Sequence, residues 1–110
     1  MPELRLYIAQ RLSAAVLAPL VLLHLGVMIY AIQGGLSAEE ILARTRGSLA
    51  WGLVYSIFVV AAAIHAAIGL RNILSEWGGL RDPLLGYLSW GFLAGLLIAG
   101  LRAVAAVVIA

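Results

Sequence analysis

The chain has 110 residues, 65% of them hydrophobic and 11% charged, with a mean hydropathy of +1.10, a balance outside that of water-soluble domains. It has no cysteine, which excludes disulfides, thiolate metal sites, iron-sulfur ligation and covalent haem attachment through C-x-x-C-H, and leaves histidine as the obvious metal ligand. The seven basic residues are all arginine and the net charge is only +2, spread over the loops with no basic stripe, so nothing supports a nucleic-acid surface.

The charged residues leave uncharged runs at 12–38, 47–70 and 83–101, each long enough to cross a bilayer, for which about 20 apolar residues suffice. The first run follows Arg5 and Arg11 as a secretory signal would, but it exceeds an h-region of roughly 7–15 residues and ends in no convincing small-x-small cleavage site. It reads as a retained helix over about 12–33, ended by the Gly34, Gly35 pair, which supplies the backbone freedom that helix ends favour. Pro19 lies inside it and predicts a bend in the turn before it.

The connection carries Ser37, Ala38, Glu39 and Glu40, the pattern of a capping box in which Ser37 caps the amide of Glu40 and Glu40 reaches back. A short surface helix over about 38–46 follows. The second apolar helix spans about 48–74 and the third about 84–108, separated by the turn residues Gly78, Gly79, Leu80, Arg81, Asp82 and Pro83. The expected fold is therefore an all-α integral membrane protein with three transmembrane helices in a single domain. Arg5, Arg11, Arg71 and Arg81 fall on one side against Arg44 and Arg46 on the other, which places the N-terminus inside. Arg102 lies near the outer end of the third helix, where it is expected to snorkel to the interface.

Three helices of this length leave wide apolar and small-residue faces open, so the chain is expected to need a partner bundle. Ala61, Ala62, Ala63, Ala66, Ala67 and Gly69 make the second apolar helix small on several sides, which permits close approach of another helix or of a flat cofactor.

His24 and His65 are the only histidines, and each lies well inside an apolar run, where a strongly polar group is costly unless partnered. Imidazole nitrogen is an axial ligand of haem iron. The competing reading is a neutral histidine hydrogen-bonded to a neighbouring helix. With Arg11 and Arg71 at one surface, His24 lies about 20 Å deep and His65 about 9 Å deep, from a rise of about 1.5 Å per residue. That difference of roughly 10 Å is too large for both to grip one iron, so either each binds a separate haem with the opposite ligand from another bundle or only one of them is a ligand. Ser13 and His24, 11 residues apart, share a helix face to within about 20°, as do His65 and Asn72, 7 residues apart.

The segment His65, Ala66, Ala67, Ile68, Gly69, Leu70, Arg71, Asn72, Ile73, Leu74, Ser75, Glu76 resembles the H-x-x-x-G-x-R-h-x-x-D signature of the cytochrome b membrane-anchor subunits of succinate dehydrogenase and fumarate reductase. It departs from that pattern at Asn72, often a histidine, and at Glu76, near the usual aspartate. Gln10, Arg11, Leu12, Ser13, Ala14 is similar to the H-R-x-[ST]-G motif of the same family, with departures at Gln10 and Ala14. The resemblance implies an electron-transfer subunit without succinate chemistry of its own, held in a bacterial cytoplasmic membrane. Its implied partners are a flavoprotein, an iron-sulfur subunit and a second anchor chain that completes the haem ligation. It also implies that His65 is an axial ligand of haem b, and that Arg11, Ser13 and Arg71 lie near quinone or haem propionates. His24 fits a two-haem form, with Arg102 a further propionate candidate. The other reading is a haem-free anchor that docks the soluble subunits and shapes a quinone pocket.

Overall fold

A computed structural model describes residues 2–109, with helices at Pro2–Gly34 (α1), Ala38–Thr45 (α2), Leu49–Glu76 (α3) and Leu84–Val108 (α4). α1, α3 and α4 are long and apolar enough to cross a membrane. The molecule measures 47 × 23 × 23 Å, and its long axis matches the roughly 40–45 Å of a bilayer with its headgroups. α1 starts well before the expected residue 12, because Glu3, Arg5 and Arg11 end the apolar run but not the helix: Glu3 in the first turn suits the positive end of the helix dipole. α1 continues through Pro19 without a break.

α3 is the central element and packs against both α1 and α4. Its neighbours run antiparallel to it. On one side the Gln10 amide lies beside Gly69 while His24 meets Tyr55 and Phe58. On the other side Val59 fills the space beside Gly100, and Val108 the space beside Gly52.

Among the described residues the enclosed apolar ones are few and mostly small, Ala31, Ala61, Ala63, Ala67, Ile68 and Leu85, joined by the polar Ser13 and Thr45. Helices that approach this closely gain dispersion contacts through small side chains, which is how association works where lipid is as apolar as leucine. The large residues point outward, Leu22 at 69% and Ile98 at 62% exposure among them, an arrangement that suits lipid or partner helices and not water.

The turns follow local chemistry. Ser37 accepts from the Glu40 amide at 3.2 Å and donates its hydroxyl to the Glu40 carboxylate at 3.0 Å, so the carboxylate reaches the cap side chain. Gly35, at φ +126°, leaves room that the same carboxylate occupies, where any Cβ would collide with it. Ser48 caps α3 by accepting from the Trp51 amide at 3.2 Å. At the far end of α4, the Thr45 hydroxyl donates to the Val107 carbonyl at 2.6 Å and the Gly47 amide to the Val108 carbonyl at 2.7 Å. These bonds tie α2 to carbonyls that the end of a helix leaves without partners.

Candidate functional site

One stripe of α1 faces α3. It comprises Gln10, Ser13, Leu17, Leu20, His24, Val27 and Ala31, spaced by three or four residues, and from Ser13 onward each of these is less exposed than its chain neighbours. Its polar members are Gln10, Ser13 and His24, so the span places its polarity against α3.

His24 sits against two aromatic rings of α3. Tyr55 meets it edge-on at a centroid distance of 6.2 Å, and Phe58 lies tilted at 5.2 Å. Trp51 stacks on Tyr55 at 5.5 Å and extends the aromatic wall toward the start of α3. Beside this wall lies a groove of about 900 Å³, lined by the second half of α1, by α2 and by Trp51 and Tyr55 of α3. It is apolar except at its two ends: His24 on the inner side, and Arg44, whose guanidinium lies 5.6 Å from the Tyr30 ring centre and donates to the Gly35 carbonyl at 3.4 Å. Sequence reading missed this groove, although Tyr30, Trp51 and Tyr55 near helix ends were a signal of an interfacial aromatic cluster.

His65 lies on the α1-facing side of α3, within about 20° of Phe58 and about 40° of Gly69 on the helical wheel. The antiparallel register sets it opposite residue 14 or so of α1. The two histidines are thus separated by roughly 10–15 Å along the bundle at about 1.5 Å per residue, in line with the sequence-based figure and too far to share one iron. His65 borders no part of the groove beside His24.

The Nδ1 atoms of both histidines, and Oε1 of Gln10, are buried without a hydrogen-bond partner. Such atoms are rare in native proteins, and each calls for a reason, a bound water, an ion or a functional role among them. A metal-bound imidazole ordinarily coordinates through one nitrogen and donates from the other to a nearby acceptor. Gln10 was noted in the sequence only as a departure from a motif. The structure puts its amide 3.8 Å from where a Gly69 Cβ would stand, one turn from His65, so two unpartnered polar groups occupy neighbouring levels of one interface.

Arg11 and Arg71 come to the same end of the bundle, since Gln10 adjoins Gly69. Arg11 is exposed, its guanidinium 5.9 Å from the Tyr7 ring centre, and Arg71 is half-buried. Ser13 is 6% exposed and donates to the carbonyl of Gln10 at 3.0 Å, so its proton is engaged within its own helix and its oxygen lone pairs remain for a ligand. Asn72 is exposed.

Among the described residues no three histidine or carboxylate side chains gather around one point. Single, separated imidazoles in an apolar setting suit iron whose other ligands arrive with it in a porphyrin, which needs one protein nitrogen on each face. The histidines fit that group by donor type and by their orphaned nitrogens.

A family model for the succinate dehydrogenase/fumarate reductase transmembrane subunit matches residues 2–108. Neither the curated proteins nor the solved structures gave a match to the chain.

Proposed function

Because the chain belongs to the succinate dehydrogenase/fumarate reductase transmembrane subunit family, and so is a multi-pass membrane subunit, we propose that it binds haem b through His65 and helps to form the quinone site of a succinate:quinone oxidoreductase. It passes electrons between an iron-sulfur subunit and quinone, while a flavoprotein subunit carries the succinate or fumarate chemistry. A second anchor chain supplies the ligand opposite His65. The N-terminus, with Arg5, Arg11, Arg71 and Arg81, lies on the cytoplasmic side of a bacterial membrane, in accord with the arginine bias.

The observation that carries this reading is the pair of imidazoles held inside membrane-spanning helices with Nδ1 buried and unpartnered. Leaving a polar atom in that state costs about 1–3 kcal/mol, and metal ligation of the same ring offsets such a cost. Haem, when bound, supplies a one-electron carrier. The protein's contribution is to hold the rings: Tyr55 and Phe58 fix the plane of His24, and the α1–α3 interface encloses His65. The separation of roughly 10–15 Å supports a separate haem for His24, nearer the outer surface. Arg11 and Arg71 provide two cations at one end of the bundle, suited to propionates or to a quinone carbonyl, with the Ser13 hydroxyl oxygen as an acceptor between them and the histidines.

The test is a reduced-minus-oxidised spectrum of the purified complex, in which a b-type band is expected and His65→Ala removes part of it. A haem-free anchor is the second reading, favoured by the absence of His65 from the lining of the groove beside His24. Unchanged haem content after replacement of both histidines would establish it.

A further inference from the structure

The groove beside His24 has a second polar end that the histidine does not explain. Arg44 reaches it from α2 and is half-buried, although it stands on a short surface helix. α2 holds it in place: Ser37 caps the helix at the Glu40 amide, and the residue after Arg44, Thr45, donates to the Val107 carbonyl of α4 at 2.6 Å. Among the described residues the guanidinium meets the Gly35 carbonyl at 3.4 Å and the Tyr30 ring, and no carboxylate. A cation fixed against an apolar surface in this way keeps most of its donors free and lacks a counter-charge.

The other end is the imidazole. His24 lines the groove and its Nδ1 is buried, so the nitrogen it can present there is Nε2. Tyr30, which meets the guanidinium, follows His24 by six residues, or about 9 Å along the axis. Between the two ends the lining is apolar, with Val27 and Ala31 on α1 and Ile41 on α2. An occupant that satisfies the whole groove must take an imidazole nitrogen at one point, be apolar along its body and carry an anion at the far end. A phospholipid meets Arg44 with its phosphate but sets acyl carbon against Nε2, and a quinone meets His24 but leaves the guanidinium without an anion. Haem uses both ends, since its iron takes the imidazole and its propionate carboxylates stand together on one edge of the ring.

We propose that this groove seats the haem of His24 with its carboxylate edge turned toward α2, and that Arg44 pairs with a propionate there, a charge-assisted contact that suits the guanidinium fork. The inference rests on the haem reading of His24 and adds the residue that orients the group and raises its reduction potential. Arg102, the propionate candidate suggested by the sequence, stands on α4, which contributes nothing to the lining of the groove. Reduction of the iron adds one negative charge, which a neighbouring cation favours, so loss of the Arg44 charge lowers the potential.

The experiment is a redox titration of the b-type bands in the purified complex, with the haem of each histidine identified by the alanine replacements. Arg44→Gln should lower the potential of the haem that His24→Ala removes by about 59 mV, a ten-fold change in a one-electron equilibrium, and leave the His65 haem where it was. Arg44→Lys should retain most of the potential, and Arg102→Gln all of it. With isotope-labelled propionate carboxyls, the carboxylate bands of the redox-difference infrared spectrum should change on Arg44→Gln. Val27→Phe, which fills the groove between its two ends, should lower the occupancy of the His24 haem while the His65 haem and flavin are retained. The proposal is overturned by a His24 haem whose potential and carboxylate bands ignore Arg44→Gln, by an equal shift of both haems, by a shift that follows Arg102→Gln instead, or by full haem content after Val27→Phe. Unchanged haem after His24→Ala also overturns it, and loss of haem from His65→Ala then leaves the anchor reading standing; haem unchanged by both replacements refutes the two together.

Discussion

Replacing the two histidines one at a time tests whether they serve one iron or two. His24 meets α3 at Tyr55 and Phe58, and His65 lies seven residues beyond Phe58 and ten beyond Tyr55, so their levels differ by roughly 10–15 Å at about 1.5 Å per residue. Two axial nitrogens of a single haem stand only a few ångströms apart across the ring. Rotamer changes cannot close that gap, and moving α1 along α3 by two turns or more would break the placement of Gln10 over Gly69. If both rings are ligands they therefore serve separate haems, and the replacements should act independently. His65→Ala is expected to remove one haem per flavin, His24→Ala the other, and the double replacement both. The assay is pyridine haemochrome against flavin in the purified complex, with flavin recovery showing that assembly survived. Loss of all haem from each single replacement, with flavin retained, would mean that one iron is held by both rings and that the register argued from the α1–α3 contacts is wrong, whereas loss of all haem from His65→Ala and none from His24→Ala would leave His65 the one ligand.

Gly100→Val should destabilise the chain by about 1–3 kcal/mol, since its Cβ would meet the Val59 side chain at 2.5 Å and 3.1 Å, a case of overpacking. Gly91→Ala should stabilise the isolated chain by up to about 1 kcal/mol, the difference in helix propensity, because nothing lies near its Cβ; unfolding midpoints in detergent compare the two. Thr45→Val removes the hydroxyl donated to Val107 at 2.6 Å and should cost about 1–3 kcal/mol by leaving that carbonyl short of a partner, read as faster proteolysis at the α2–α4 junction. Arg11→Gln combined with Arg71→Gln should raise the KM for quinone roughly ten-fold or more, the loss expected of charge-assisted contacts, while succinate oxidation with a soluble dye stays unchanged. A parallel fall in dye reduction would assign these arginines to assembly instead.

Much of the architecture was legible because lipid imposes a single demand, long runs without charge, and 12–38, 47–70 and 83–101 meet it. The start of α1 was not, since Glu3, Arg5 and Arg11 mark where the span ends and say nothing of where helical hydrogen bonding ends. The capping at Ser37 was readable from spacing alone; the reach of the Glu40 carboxylate to the serine hydroxyl depended on the backbone at Gly35. The two histidines were conspicuous as polar groups in apolar runs, and their unequal depth followed from counting residues. The groove beside His24 required knowing that α2 folds back to bring Arg44 over Tyr30, a long-range contact with no local signature. Gln10 could have been found: it shares its helix face with His24 to within about 40°.

The three orphaned atoms share a location with a physical meaning. Gln10 Oε1, His24 Nδ1 and His65 Nδ1 all belong to the surfaces through which α1 and α3 meet, where replacement by leucine would remove each cost. At about 1–3 kcal/mol apiece, they burden an interface that elsewhere uses small and apolar residues. The chain keeps its polar groups out of lipid by turning them inward, and then leaves them without partners. A haem-free anchor gains nothing from that arrangement, whereas a subunit that ligates iron through these imidazoles needs each ring enclosed and one nitrogen directed to a neighbouring acceptor. Gln10 Oε1, an acceptor one turn from His65, has the right chemistry for the second requirement. Gln10→Leu should therefore shift the reduction potential of the haem that His65→Ala removes, and leave that of the His24 haem unchanged.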